Sequence, residues 1–371
     1  MYSEGLILAK RYKLCKIYGQ GSFAQVWLAE DIKTQKTVAV KICHIPTSID
    51  CEQEREKFIQ HFYDEIALMM HIHSYYVVEI LNYGKEQETV APYSWFYYIV
   101  MEKMNSTISN ILEQQRKNER KLFTLDEFLR YAINLLIGLR DIHTQGIIHR
   151  DIKPSNLFLS SDDIAMIGDL GIAKMRKSSD ETQSMFGTVG YAAPELFASE
   201  HEATIQSDIF SMGISFYEML TTRHPCNENG SFYLSRETVQ RLLSGQFYSL
   251  SDLRPDLPEN LVQLIYQMIA INPQERIHSV AEVLKQFQQI RLSILNNYIE
   301  LSNSYIQSNN PNEAVSVLKK SIALCPEFVK SYNRLGNLYY DYAKYHKAIK
   351  YFNKSLSFKK SKYSYNALGK Q

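Results

Sequence analysis

Residues 149–156 read His-Arg-Asp-Ile-Lys-Pro-Ser-Asn, and three of these side chains suit one piece of chemistry. Asp151 offers a carboxylate that can orient a hydroxyl, Lys153 an ammonium that can meet a phosphate, and Asn156 an amide oxygen that can hold a metal ion. Alone, the string also reads as a polar turn ahead of the strand-like Leu157-Phe158-Leu159, so its meaning depends on its surroundings.

Three other strings belong to the same chemistry. Asp169-Leu170-Gly171, thirteen residues beyond Asn156, adds a carboxylate, the oxygen ligand that hard cations prefer. In Gly19-Gln20-Gly21-Ser22-Phe23-Ala24-Gln25-Val26, two glycines let a strand turn bring backbone N–H groups against phosphate oxygens, with Phe23 capping the turn. A lone Gly-x-Gly or Asp-x-Gly is most often only a turn. Lys41 sits inside the apolar run Val38-Ala39-Val40-Lys41-Ile42. Burying an unpaired ammonium is costly, so this lysine either faces solvent on an edge strand or has a carboxylate partner. Glu65, 24 residues later beside Ile66 and Met69, fits an inward helix face best, with Asp64 and Glu54 as competitors.

In this order the strings resemble the motifs of eukaryotic-type Ser/Thr protein kinases. The resemblance implies a nucleotide slot formed by Tyr18, Gly19, Gln20, Gly21, Ser22, Phe23, Ala24, Val26, Ala39, Lys41, Glu65, Glu102, Met104 and Phe158. Ala24 stands where the family's third loop glycine falls, a mild replacement that stiffens the loop. Lys41 would pair the α- and β-phosphates and be held by Glu65, while Glu102-Lys103-Met104 would form the hinge beside the adenine, after a gatekeeper at Met101. Of the residues implied to be catalytic (Lys41, Asp151, Lys153, Asn156), Asp151 would orient the attacking hydroxyl and Lys153 would meet the transferred phosphate. Asn156 and Asp169 would hold Mg²⁺, and ATP and Mg²⁺ are the implied cofactors. Leu170 replaces the family's usual Phe, and His149 is expected to be a buried framework residue.

Gly187-Thr188-Val189-Gly190-Tyr191-Ala192-Ala193-Pro194-Glu195 is similar to the segment that closes the family's activation loop. Thr188 and Lys153 resemble the Ser/Thr rather than the Tyr class. Arg276 matches the arginine that pairs with Glu195, and Asp208 the aspartate that anchors the backbone of the catalytic loop. Ser178, Ser179, Thr182 and Ser184 lie between these motifs, where a solvated polar loop is the plain reading. With Arg150 and Lys174 able to receive a phosphate, Thr182 or Ser184 is expected to be autophosphorylated.

These residues must be positioned by a larger frame. Up to about residue 103 the pattern is strand-like, around Val26–Ala29, Thr37–Ile42 and Tyr97–Met101, with one helical stretch over 53–73 carrying Phe58, Phe62, Ile66, Met69 and Met70. Residues 105–290 are mostly helical, and Phe128, Tyr131, Ala132, Leu135, Leu136 and Leu139 mark one long amphipathic helix leading into the 149–156 string. The expected class is α+β, a bilobal protein-kinase fold with a β-rich N-lobe (1–103) and a helical C-lobe (104–293) around a cleft.

From residue 294 on, the chain repeats itself. Tyr298-x-x-Leu301-Ser302-x-x-Tyr305 returns as Tyr332-x-x-Leu335-Gly336-x-x-Tyr339, a period of 34, and Ala314/Ala348, Leu318/Phe352 and Ser321/Ser355 keep the same offset. The pattern resembles tetratricopeptide repeats, an all-α segment of two units with a partial third starting at Tyr365. Such repeats imply a protein or peptide partner.

Composition bounds the rest. The 371 residues have a net charge of +1, which gives no reason to expect nucleic acid, although 341–371 hold eight lysines against one aspartate. The five cysteines are scattered with no CxxC pair, as in a reducing compartment, so a cytoplasmic location is expected. Neither a secretory leader nor a membrane span is expected. The function so implied is transfer of the γ-phosphoryl group of Mg-ATP to Ser/Thr hydroxyls of proteins, with the repeats binding a partner. The alternative is a pseudokinase scaffold that holds nucleotide without turnover, although such proteins usually lack one of Lys41, Glu65, Asp151, Asn156 and Asp169 and this chain lacks none.

Overall fold

Alternation of apolar residues with period two builds a six-stranded antiparallel sheet, of order β1-β2-β3-β4-β6-β5. Its strands are β1 (Ile7–Leu8), β2 (Tyr12–Gln20), β3 (Ala24–Asp31), β4 (Lys36–Cys43), β5 (Ile80–Gln87) and β6 (Trp95–Glu102). The structure is a computed structural model that describes residues 3–20, 24–43, 56, 59–60, 63, 66–67, 69–87, 95–169, 189–197, 202–227, 230 and 235–368. Strand β4 lies inside the sheet, with Lys41 opposite Val26 on one side and Ile99 on the other. The edge-strand reading of Lys41 is thereby excluded. Val38, Val40 and Ile42 face a core of Leu14, Trp27, Ala29, Phe96 and Val100. Lys41 therefore belongs to the opposite face, with Ile99 and Met101.

Among residues 53–73, those described at 56, 59–60, 63, 66–67 and 69–70 are helical. Ile66 is fully buried, whereas Met70 ends the helical run and is 41% exposed. Phe58 and Phe62 lie outside the described residues.

Further along, β7 (Ser106–Thr107), β8 (Leu157–Leu159) and β9 (Ala165–Ile167) form a small second sheet. The predicted long helix spans Leu125–Thr144 and buries Phe128, Tyr131, Ala132, Leu135, Leu136 and Leu139. The helix Ile205–Thr221 is buried all round, from Ser207 through Thr221, as expected of a core element rather than a surface one. It starts at a capping box, in which Thr204 and Ser207 satisfy each other's backbone N–H groups.

Two compact units emerge from the contacts, one of Met1–Leu122 with Asn134–Val283, the other of Phe123–Ile133 with Leu284–Gln371. The second contains the helices Pro311–Leu324, Val329–Asp341 and Tyr345–Leu368. Repeat positions Ala314, Ala348, Ser321 and Ser355 are buried where helices meet, and a Cβ on Gly336 would fall 2.5 Å from the Phe352 ring. Equivalent positions are not always used alike, since Leu335 is fully buried and Leu301 is 42% exposed. The expected third copy is not a new helix among the described residues, because Tyr365 and Leu368 fall within the continuous helix that began at Tyr345. In the same unit the Tyr298 hydroxyl donates to Asp126 at 2.8 Å, and the Phe128 and Phe287 rings lie 6.2 Å apart. Burial raises the Asp126 carboxyl above its ordinary range. No helix among the described residues is long and apolar enough to cross a membrane.

Candidate active site

A 3-10 turn, Pro154–Asn156, delivers the 149–156 string onto β8. The loop is held from beneath by Asp208 of the helix Ile205–Thr221, itself 1% exposed. Asp208 accepts the backbone N–H groups of His149 at 2.8 Å and Arg150 at 2.9 Å, and it also meets His143 Nε2 at 2.8 Å. Arg150 takes a left-handed φ of 64°, a conformation that costs energy for a side chain of its size and is fixed here by those bonds. His149 is buried; its Nε2–H donates to the Gly168 carbonyl at 3.3 Å, and its Nδ1 accepts the Asp151 N–H at 3.3 Å. Burial pulls its pKa below the ordinary histidine value, which suits a framework imidazole with both nitrogens committed.

Asn156 donates through Nδ2 to the Asp151 carbonyl at 2.8 Å and to its carboxylate at 3.1 Å. Lys153 Nζ lies 3.0 Å from the same carboxylate. Asp151 is thus oriented from both sides while 9% exposed. The Gly168 N–H bonds the Asn156 carbonyl at 3.1 Å, so Asn156 and Asp169 sit on directly linked backbone. With its amide N–H groups committed to Asp151, Asn156 keeps its amide oxygen for a cation, with only the Ser155 hydroxyl, among the described residues, at 3.4 Å against it. Two such oxygens fit Mg²⁺, which takes few protein ligands and keeps sites for phosphate and water.

Lys41 forms an ion pair with Asp169. Burial works against its charge, yet the nearby carboxylates, Asp169 foremost, more than offset this and hold the ammonium above its ordinary range. The predicted partner Glu65 lies outside the described residues, as do its competitors Asp64 and Glu54; the partner seen here is Asp169, 128 residues away. Lys41, Met69, Val78, Ile99 and Met101 line a cavity that ends at Gly168 and Asp169. Cys43, two residues from Lys41, has its thiol pushed up to about 11 by burial.

At the predicted hinge, Glu102 turns its side chain back to accept the Glu79 N–H at 3.0 Å. That carboxylate is not aimed at the slot, and the residue's own N–H is committed as well, donating to the Glu79 carbonyl at 3.2 Å. Burial raises its pKa. Tyr18 reaches from β2 to donate its hydroxyl to the Met104 carbonyl at 2.9 Å, a side-chain tie between the glycine-loop strand and the hinge. Phe158 packs with Val78, Met104 and Met166. On β2, Gly19 lies opposite Val26 and the last residue, Gln20, opposite Gln25, while Ala24 and Ala39 lie on β3 and β4. Gly21, Ser22 and Phe23 are outside the described residues, as are Leu170, Gly171, Lys174, Thr188 and the serines and threonine at 178, 179, 182 and 184. Gly168, which sequence reasoning passed over, has no room for a side chain, because a Cβ would fall 2.7 Å from Val78 and 2.9 Å from Phe158.

The segment after 188 is also tied down. Arg276, with no side-chain exposure, makes a bidentate pair with Glu195 at 2.8 and 3.0 Å and donates to the Ala270 and Gln206 carbonyls. Tyr191 donates its hydroxyl to Glu218 at 2.6 Å, and Glu218 is neutralised by Arg116.

The protein kinase domain family matches residues 12–287, and a tetratricopeptide repeat family matches 295–328 and 329–362. A probable serine/threonine-protein kinase of Clostridium acetobutylicum is 27% identical over 83% of this chain and 43% of its own length. The serine/threonine-protein kinase Nek5 of Mus musculus is 28% identical over 82% of this chain and 45% of its own. For the serine/threonine-protein kinase PknA of Mycobacterium tuberculosis the figures are 29%, 74% and 60%. The chain spans about half the length of the curated relatives it matches.

Proposed function

Because this chain belongs to the protein kinase domain family and carries two tetratricopeptide repeats, we propose that it transfers the γ-phosphoryl group of Mg-ATP to serine and threonine hydroxyls of a protein substrate. The observation that carries this reading is the convergence of Lys153 and Asn156 on the Asp151 carboxylate, with Asp169 and Lys41 paired beside them. Bound Mg-ATP supplies the phosphoryl group and the charge that draws it from its leaving group. The protein's share is alignment and neutralisation. Asp151, fixed by Asn156, orients the acceptor hydroxyl and takes its proton at the carboxylate as the new P–O bond forms. Lys153 offers its ammonium to the transferred group 3.0 Å from that carboxylate. Asn156 and Asp169 hold the cation through their oxygens. Lys41, when released toward the nucleotide, meets the α- and β-phosphates. Tyr18, Gly19, Gln20, Gly21, Ser22, Phe23, Ala24, Val26, Ala39, Met104 and Phe158 enclose the nucleotide, Glu102 contributes its backbone carbonyl, and Glu65 is the second partner of Lys41.

On this reading the kinase domain runs through residue 293 and the repeats start at 294. The repeats recruit a protein or peptide partner, and the enzyme works in the cytoplasm. Phosphate on Thr182 or Ser184 would be received by Arg150, whose backbone is already fixed by Asp208. Absence of phosphate between 172 and 188 in active protein, by mass spectrometry, would refute that regulation. The main test is transfer of labelled phosphate from Mg-ATP to a generic protein substrate. The wild-type chain should transfer, and Asp151→Asn and Lys41→Met should each lose at least about 100-fold. Transfer that survives Asp151→Asn would overturn the role given to Asp151.

A further inference from the structure

The helix Tyr345–Leu368 carries Tyr345, Ile349, Phe352 and Leu356 at intervals of four, three and four residues. At about 100° per residue, this spacing puts all four on one stripe of the helix. Phe352 is half-buried, with its ring against Gly336, but Tyr345 is 56%, Ile349 59% and Leu356 50% exposed. Single exposed apolar residues need no explanation, whereas a contiguous stripe of them marks a contact surface.

The period of 34 supplies an internal comparison. One period earlier the same stripe is Pro311, Val315, Leu318 and Ile322, on the helix Pro311–Leu324. There Leu318 is fully buried and the other three are half-buried. The helix that follows, Val329–Asp341, packs against Pro311–Leu324, with the Ser321 and Ser331 hydroxyls 2.7 Å apart. In the second repeat no new helix takes the corresponding place among the described residues, since Tyr365 and Leu368 continue the helix that carries the stripe. The covered copy therefore gives the shape that fits the open one, a helix laid alongside.

Charge selects among helices. From Tyr345 to Leu368 the chain has six lysines and no acidic residue. Lys347 and Lys354 lie over the Tyr339 and Phe358 rings, at 5.5 and 5.0 Å, while Lys344 and Lys350, next in sequence to Tyr345 and Ile349, are exposed. A second copy laid stripe to stripe would set lysine against lysine, whereas an acidic helix is attracted. We propose that this stripe docks an amphipathic helix of a partner protein, apolar where it meets Tyr345, Ile349 and Leu356 and acidic along its edges. This rests on the reading above that the repeats recruit a partner, and it assigns the surface and the partner's chemistry.

The probe is a fluorescent peptide with the sequence of Val329–Asp341, the helix that packs against the covered copy, carrying Lys330→Glu and Arg334→Glu; a second peptide keeps both cations. Each is stapled into a helix, because 13 residues alone are marginal in water. Fluorescence anisotropy is titrated with the full chain. The acidic peptide should bind at least about 10-fold tighter than the basic one, and raising salt from about 50 to about 300 mM should narrow that gap. Ile349→Ala with Leu356→Ala should weaken binding about 10- to 100-fold, and the exposure of both side chains leaves the fold independent of them. Lys344→Gln with Lys350→Gln should remove most of the preference for the acidic peptide. Equal affinity of wild type and the Ile349→Ala, Leu356→Ala protein would overturn the surface and leave recruitment by the repeats standing, whereas binding of neither peptide would overturn both. A dimer of the chain alone that the same pair of substitutions dissolves would give the stripe to a second copy and overturn the proposal. So would tighter binding of a poly-uridine of about 20 nucleotides than of the acidic peptide.

Discussion

Replacing Asp208 by Asn changes two atoms' chemistry with almost no change of volume, and the structure gives the size of the effect. One carboxylate oxygen accepts the His149 N–H and faces His143 Nε2, both at 2.8 Å, while the other accepts the Arg150 N–H at 2.9 Å. In the amide, one of these oxygens becomes an NH₂ group. If the oxygen stays with His149, the NH₂ faces the Arg150 N–H, donor against donor. One charge-assisted hydrogen bond worth about 1.5–3 kcal/mol is lost, and a half-buried donor is left unpaired at a further 1–3 kcal/mol or so. The total is about 2.5–6 kcal/mol, in a group that is 1% exposed. The left-handed Arg150 then loses what holds it, and Asp151, the next residue, shifts with it. A displacement of about 1 Å lowers phosphoryl transfer about 100-fold. The assay is urea unfolding followed by tryptophan fluorescence, because both tryptophans, Trp27 and Trp95, lie in the first unit and report on it alone. Single-turnover transfer is measured in parallel. An Asp208→Asn protein within 1 kcal/mol or so of wild type, with full transfer, would show that Asp208 does not hold the loop in this way.

Arg276→Ala strands the Glu195 carboxylate, only 11% exposed, and several carbonyls, so it should destabilise by about 3–5 kcal/mol and exceed Glu195→Gln in the same urea assay. Gly336→Val forces a side chain into the Phe352 ring and should destabilise the second repeat by about 1–3 kcal/mol, seen as faster amide exchange over 329–358 with 12–120 unaffected. The Arg11 guanidinium, with Thr34 and the Lys33 N–H, holds the Asp31 carboxyl well below the carboxylate range. A depressed folded pKa means stability that is present above about pH 4 and lost as pH falls below it. The urea midpoints of wild type and Asp31→Asn should therefore differ at pH 6 and converge on acidification toward about pH 2. A gap that stays constant with pH would remove Asp31 from that role.

The loop at 149–156 and its companions were legible because phosphoryl chemistry restricts residue type at each place, and short motifs keep those residues together. Lys41 showed itself by violating the apolar rule of its strand, and it lies on the interior strand β4 in an ion pair with Asp169. Its observed partner was not legible, because Asp169 is 128 residues away and nothing local links them. The same holds for Tyr18 with Met104 and for the tight packing around Gly168, which exist only once the chain has folded. Glu102 was expected just past a strand ending at Met101, whereas the strand includes it, and its side chain turns to Glu79 because a free backbone N–H there needs an acceptor. In the repeats, the period of 34 was plain, yet it gave no sign that Tyr365 would continue an existing helix instead of opening a new one.

The helix Val280–Gln307 runs unbroken past the end of the kinase match at 287 and into the first repeat match at 295. Anyone trimming the gene has no neutral place to cut there. A stop codon after 293 would sever a helix in mid-course, discard the fully covered Leu295, and take the Tyr298 hydroxyl from a half-buried Asp126. The shortened product would differ from the parent by an injury as well as by a deletion, so any change in its activity would have two explanations. A fairer comparison keeps the chain through Gln307, where the helix ends, and removes only the residues after it.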